Sequence, residues 1–309
     1  MAAFLIIYRQ RIMDQITVWQ YTPTTEINSL VERSGMNDNG KFIFFASQPK
    51  LESTNNFNKE CSKVENTTSI LGCYNLSRIY IYNVTDSRLD GVREVTASHE
   101  MLHSAYIRLS NDEKIKLDKM LEAEYEKLKD NKDFSQLMSY YDRTEPGERD
   151  NELHSLIGTE ISNMNPELET YYSKYFSDRQ KIVALNAKYI GVFMVLKKSD
   201  DEITAKINDA YAAISKQKSD YSSAVSLLNS DIAQFNSQAS SSYFSSQAQF
   251  NYQRSLLVTR SATLETMRQD INNGIANYDA LIVEHNANAT ESQKLYNMID
   301  SSLAPAPSV

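Results

Sequence analysis

The chain has 309 residues, with 32 basic against 40 acidic side chains and a formal net charge of −8, long enough to bury one large core or two ordinary ones. The acidic balance, with no window of clustered Lys and Arg, argues against a nucleic-acid partner. Its two cysteines, Cys61 and Cys73, have no second pair and no nearby histidine, which argues against a zinc knuckle and predicts a short disulfide-closed loop in an oxidising compartment.

The N-terminus reads "AAFLIIY" and then "RQR". A bilayer span needs about 20 apolar residues, so residues 1–22 are expected to be a stub, the end of a truncated membrane anchor that leaves the rest of the chain extracytoplasmic. The arginines after the apolar run point the other way, to a cytoplasmic side. Further on, "KFIFFAS" (41–47) and "RIYIYNV" (78–84) are β-branched and aromatic runs bounded by Gly, Pro, Asn and Asp, and both read as strands.

Helical spacing then takes over. Ser87 with Asp90 three residues later has the form of an N-cap pair, and Leu89, Val92, Thr96, His99, His103 and Tyr106 follow at intervals of three or four, one inward stripe of a helix. A second helix is expected over 111–129, burying Met120, Leu121 and Leu128.

Composition changes near residue 178: Trp19, both cysteines and three of the four histidines lie before it, and Ser, Ala, Asn and Gln dominate after it. Ile207, Ile214, Tyr221, Leu228 and Phe235 recur every seventh residue, as do Leu257, Leu264, Ile271, Tyr278 and His285, the seam of a coiled coil. The Ser-rich "NSQASSSYFSSQ" between the runs predicts an antiparallel hairpin of helices, 180–235 and 247–301, inside a region 179–303, with a disordered tail at 304–309. Gly274 and the polar seam residues make it a non-ideal coiled coil, suited to spacing or self-association. The expected fold class is α+β: a compact domain at 23–178 with a small sheet and a helix carrying the chemistry, then the hairpin.

The chemistry lies in His99-Glu100-Met101-Leu102-His103. Positions i and i+4 of a helix share a face, so both imidazoles can reach one ion, and Glu100 stands beside it as a base for water. Zinc accepts such nitrogen and carboxylate donors and keeps a position open for water. The competing expectation is a half-buried pair of histidines hydrogen-bonded in a core. No Gly-His continuation follows His103, so a third ligand must come from "ERDNELHSLIGTEI" (148–161). On a helical wheel Leu153, Leu156, Ile157, Glu160 and Ile161 share a face, Glu152 borders it and His154 lies round the other edge. Glu152 and Glu160 are therefore the better candidates.

With "NELHS" after "HEMLH", the residues resemble the zincin metallopeptidases of the gluzincin branch, in which a Glu on a second helix completes the zinc site. Asn151, Glu152 and Ser155 match the family's second motif. The resemblance covers 23–178 and implies zinc bound by His99, His103 and Glu152, with Glu160 in reserve, Glu100 as general base, and a Tyr or His that stabilises the oxyanion. Tyr140, Tyr141 and His154 are the candidates for that last role, Tyr141 and His154 foremost. It also implies that a peptide or protein substrate adds as a strand along 77–83. A zinc metalloendopeptidase is the leading expectation. A surface interaction or scaffold protein whose hairpin does the work, with a structural or inactive zinc site, is the alternative, and hydrolysis of cell-wall stem peptides is a third.

Overall fold

The structure, a computed structural model, describes residues 9–61 and 70–300. The apolar stretch at 2–7 and the tail at 304–309 lie outside the described residues, and among these no helix is long and apolar enough to cross a membrane. The fold is α+β, mostly helical, with one three-stranded sheet and a long helical hairpin. Two compact units are present, Met1–Met194 with Lys294–Val309, and Val195–Gln293.

The first unit begins with helices α1 (Arg9–Gln20), α2 (Thr25–Ser34) and α3 (Asp38–Ala46). Helix α3 replaces the strand expected at 41–47. The Asn37 side chain accepts hydrogen bonds from the Asn39 and Gly40 amides, capping a helix just ahead of the aromatic run. Ile43, Phe44, Phe45 and Ala46 are then all buried. A short, wholly apolar run has neither a period of two nor one of 3.6, so the cap decided its conformation.

Strand β1 (Lys50–Glu52), helix α4 (Thr54–Glu60), and strands β2 (Gly72–Asn75) and β3 (Arg78–Tyr82) follow. The order is β1-β3-β2, with β1 parallel and β2 antiparallel to β3. The strand at 78–82 is thus interior: β1 and β2 occupy both its edges, so the expected addition of substrate along 77–83 is corrected. Ile79, Tyr80 and Ile81 are buried, as a central strand requires. The disulfide Cys61–Cys73 is formed and ties the end of α4 to β2.

The β2–β3 turn is Leu76-Ser77, both at positive φ, 49° and 65°. Such a turn suits the twist of a hairpin but favours Asn-Gly over a leucine. Replacing Leu76 by Asn together with Ser77 by Gly is expected to raise stability by about 1 kcal/mol, read as a higher midpoint in chemical denaturation with an unchanged slope.

Helix α5 (Val92–Ile107) is the centre of the unit. It starts later than the Ser87–Asp90 pairing predicts, because Asp86 instead caps a single 3₁₀ turn (Ser87–Leu89) and Gly91, at φ 107°, turns the chain into α5. Around it lie α6 (Asn111–Leu128, closed by a Ser110–Glu113 capping box), α7 (Lys132–Thr144), α8 (Arg149–Glu160) and α9 (Pro166–Tyr172). On α6, Leu121 is buried and Met120 and Leu128 are half-buried against the core. Ala97, Met101 and Leu102 of α5 meet Leu153, Leu156 and Ile157 of α8 in one apolar core. Gly158 makes that approach possible: a Cβ there would stand 2.5 Å from Leu102 and 2.7 Å from Tyr172.

The hairpin is α10 (Gln180–Ser240) and α11 (Gln247–Ile299). Within the second unit, Ile214, Leu228 and Ile271 of the heptad stripe are buried, and Ile207, Tyr221, Phe235, Leu257, Leu264, Tyr278 and His285 are half-buried. Partners run in opposite directions: His285 sits 3.0 Å from Asp200, Gly274 faces Ile214, and Arg260 pairs with Asp231. Gly274 lets the helices close, since a Cβ there would lie 3.2 Å from Ile214. Phe235, Phe244 and Phe250 pack together at the turn.

Candidate metal centre

Helix α5 places His99 and His103 one turn apart, their rings edge to face at 4.6 Å and their Nε2 atoms 3.0 Å apart. Helix α8 brings Glu152 to the same point. Its Oε1 is 3.3 Å from His103 Nε2 and its Oε2 3.5 Å from His99 Nε2. Burial alone would raise the Glu152 carboxyl, but His103 and His99 outweigh it and hold it below the usual carboxylate range. These three residues form the one group among the described residues that can hold a metal ion.

The surroundings prepare the donors for a cation. Glu152 Oε2 is buried and has no hydrogen-bond partner, an orphan that protein interiors rarely tolerate. Ser155 Oγ donates to the Asn151 carbonyl at 3.2 Å and lies 3.2 Å from His103 Nδ1. With its proton given to Asn151, the hydroxyl can accept from His103 Nδ1, the arrangement in which Nε2 serves as the donor atom beside His99 and Glu152. Ser155 therefore orients a donor besides letting two helices approach.

Glu100 projects from the same helix, 5% exposed. Burial pushes its carboxyl up to about 8; His103 opposes this, while Glu152 and Glu145 reinforce it. Strand β2 closes over it at Gly72, where a Cβ would lie 2.6 Å from Glu100 Oε1, 2.8 Å from its Cγ and 2.5 Å from Thr96 Cγ2. Only a bare Cα passes there. Gly72→Ala is expected to displace the Glu100 carboxyl without touching the three donors. Metal content should stay at the wild-type level, while any turnover that uses Glu100 falls by about a hundredfold.

The remaining candidates separate clearly in space. Tyr141, on α7, has its hydroxyl held well above the ordinary tyrosine value by burial and by Glu152, Glu160, Glu100 and Glu145, so it stays protonated among the acids. Its neighbour Tyr140 shares only a ring contact with it, at 5.5 Å. Glu160, at the end of α8, is raised by burial and feels His99, but it is outside the three-residue group.

His154 is corrected as an oxyanion donor. Its side chain has no exposed surface and is enclosed by Tyr172, stacked at 5.5 Å, and by Tyr106, Tyr171 and Tyr175. Burial pushes it down to about 3, and His103 adds to the effect. It is a neutral core imidazole that no substrate can touch.

One acid escaped the sequence reading. Glu145, the residue just after α7, is exposed as a whole, but its carboxyl is raised by partial burial and by Glu152 and lowered by His103 and His99, which puts it within electrostatic reach of the histidine pair. It sits in a "TEPGER" loop that carries no motif, and only the packing of α7 against α8 brings it there.

Comparison of the chain with protein-family models, with curated proteins and with solved structures gave no match in any of the three. Function is therefore argued from the site itself.

Proposed function

We propose that the chain is a zinc-dependent metallopeptidase of gluzincin character, with His99, His103 and Glu152 as the zinc donors. The observation that carries this reading is the convergence of the buried Glu152 carboxylate, one of whose oxygens makes no hydrogen bond, on two imidazoles, with the buried carboxyl of Glu100 next to His99 on the same helix. Two nitrogens and a carboxylate oxygen are the donor set zinc accepts while leaving a position open. Zinc bound there would acidify water and polarise a peptide carbonyl.

The side chains supply the rest. Glu100 takes the proton of the attacking water and returns it to the leaving nitrogen. Tyr141, kept protonated by the acids around it, donates a hydrogen bond to the oxygen that gains charge. Tyr141→Phe is expected to keep the metal and lower kcat by about 10²–10³-fold, with KM little changed, measured on any peptide the wild type cleaves. Ser155 holds the His103 ring in place.

The Cys61–Cys73 bridge supports an extracytoplasmic setting. In the hairpin, the heptad stripe is already buried or half-buried between its own two helices, which favours a spacer over self-association through that stripe. The deciding experiment measures metal content and cleavage of a broad peptide library, cell-wall stem peptides included, before and after chelation. Zinc with metal-dependent cleavage supports the reading. Zinc held without any cleavage would favour the scaffold alternative, and absence of bound metal would refute the peptidase reading.

A further inference from the structure

Among the described residues, helix α1 is docked by one side only. Asp14, 5% exposed, forms a two-point ion pair with Arg108 at 2.7 and 2.9 Å. Val18 packs on the core, and the Arg11 guanidinium lies 5.4 Å from the centre of the Phe42 ring. Ile12, Ile16 and Trp19, about half a turn away on the wheel, and Met13, at their edge, are all exposed, Trp19 at 77% and Met13 at 54%. Four large apolar side chains on one face of a short helix form a patch of the kind that marks an interaction site.

The charge around that patch selects its partner. Arg9 and Arg11 are exposed on the first turn, while the one carboxylate of the helix, Asp14, is buried under Arg108. In a chain of net charge −8, α1 therefore has two exposed arginines, Arg9 beside the apolar face and Arg11 on the docked side over Phe42, and no exposed carboxylate. The residues just before it, "AAFLIIY", are apolar. Arginines beside an aliphatic face that ends in tryptophan are the composition of a helix lying in a membrane interface.

We infer that the outward face of α1 seats on an anionic lipid surface, with Ile12, Met13, Ile16 and Trp19 entering the headgroup boundary and Arg9 contacting lipid phosphate. The Asp14–Arg108 pair gives this contact a consequence. Arg108 caps α5 and also donates to the Ser104 carbonyl and hydroxyl, so the lipid-bound helix is fastened to the helix that carries His99 and His103. A membrane would hold the metal centre at a set height and orientation, directing it to substrates near the bilayer. The lipid contact itself does not depend on the peptidase reading.

Trp19 is the single tryptophan of the chain and reports its own burial. The full chain is titrated with phosphatidylcholine vesicles with and without phosphatidylglycerol, following tryptophan emission and co-sedimentation. The expected result is a blue shift and binding that require phosphatidylglycerol and weaken with salt. The triple variant Ile12→Ser, Met13→Ser, Ile16→Ser, with its helicity checked by circular dichroism, should bind about tenfold or more weakly and lose the shift. Four outcomes overturn the inference: no shift with vesicles; equal binding by the triple variant, which would assign the affinity to residues 1–8; a concentration-dependent shift without lipid, which would make the occupant a second copy; and emission already blue-shifted at every dilution, which would make it the chain's own N-terminus. Glu100→Gln protein should bind vesicles as the wild type does, so failure of the lipid contact and failure of the catalytic reading are told apart.

Discussion

Glu100→Gln is expected to retain the full metal content of the wild type and to lose peptide hydrolysis by about 10²–10⁴-fold. The amide occupies the volume of the carboxyl, so it fits beneath Gly72, where the clearance admits no added atom. It keeps a polar group in the same place but can neither take a proton from water nor pass one to a leaving amine. Metal is retained because Glu100 is outside the group formed by His99, His103 and Glu152. Metal analysis beside single-turnover kinetics separates the two functions. Hydrolysis at the wild-type rate would remove Glu100 from the mechanism, whatever the metal does.

Glu152→Ala carries the second large effect. Removing one of three donors is expected to lower metal affinity by more than the roughly 10–100-fold that outer-shell partners are worth, and to abolish turnover with it. Glu160→Ala, on the same helix, should leave metal content unchanged, since its carboxyl does not converge with the imidazoles. Equilibrium dialysis of the two variants beside the wild type reads the difference directly. Retention by Glu152→Ala with loss by Glu160→Ala would reverse the assignment and require α8 to shift along α5.

That pair shows where sequence reasoning ended. The wheel ranked residues of 148–161 by supposing one buried face, but Asn151 to Thr159 are all buried, because α5, α6 and α7 pack around α8. A helix enclosed on every side has no polar face from which to take bearings. For the same reason His154 could not be set aside in advance: its tyrosine cage draws on Tyr106 and on three residues of the 171–175 region, brought together only by folding. Glu145 and Gly72 reach the site from a loop and a strand with no motif, and the interior position of β3 depends on two short strands, one of three residues and one of four.

What the sequence determined by itself is local and periodic. His99 and His103 share a face because i and i+4 always do on a helix. The heptad stripe buries itself in a hairpin because its period matches the helix, and Cys61 and Cys73 lie close enough in the chain to bridge. The tertiary structure decided what depends on distance: that Glu152 and not Glu160 meets the imidazoles, that Tyr141 and not Tyr140 stands among the acids, that a glycine admits the Glu100 carboxyl, and that the described residues leave one side of α1 uncovered. Each of these depends on how close two separately formed elements approach, and at Gly72, Gly158 and Ser155 a single added or lost atom group would change the answer.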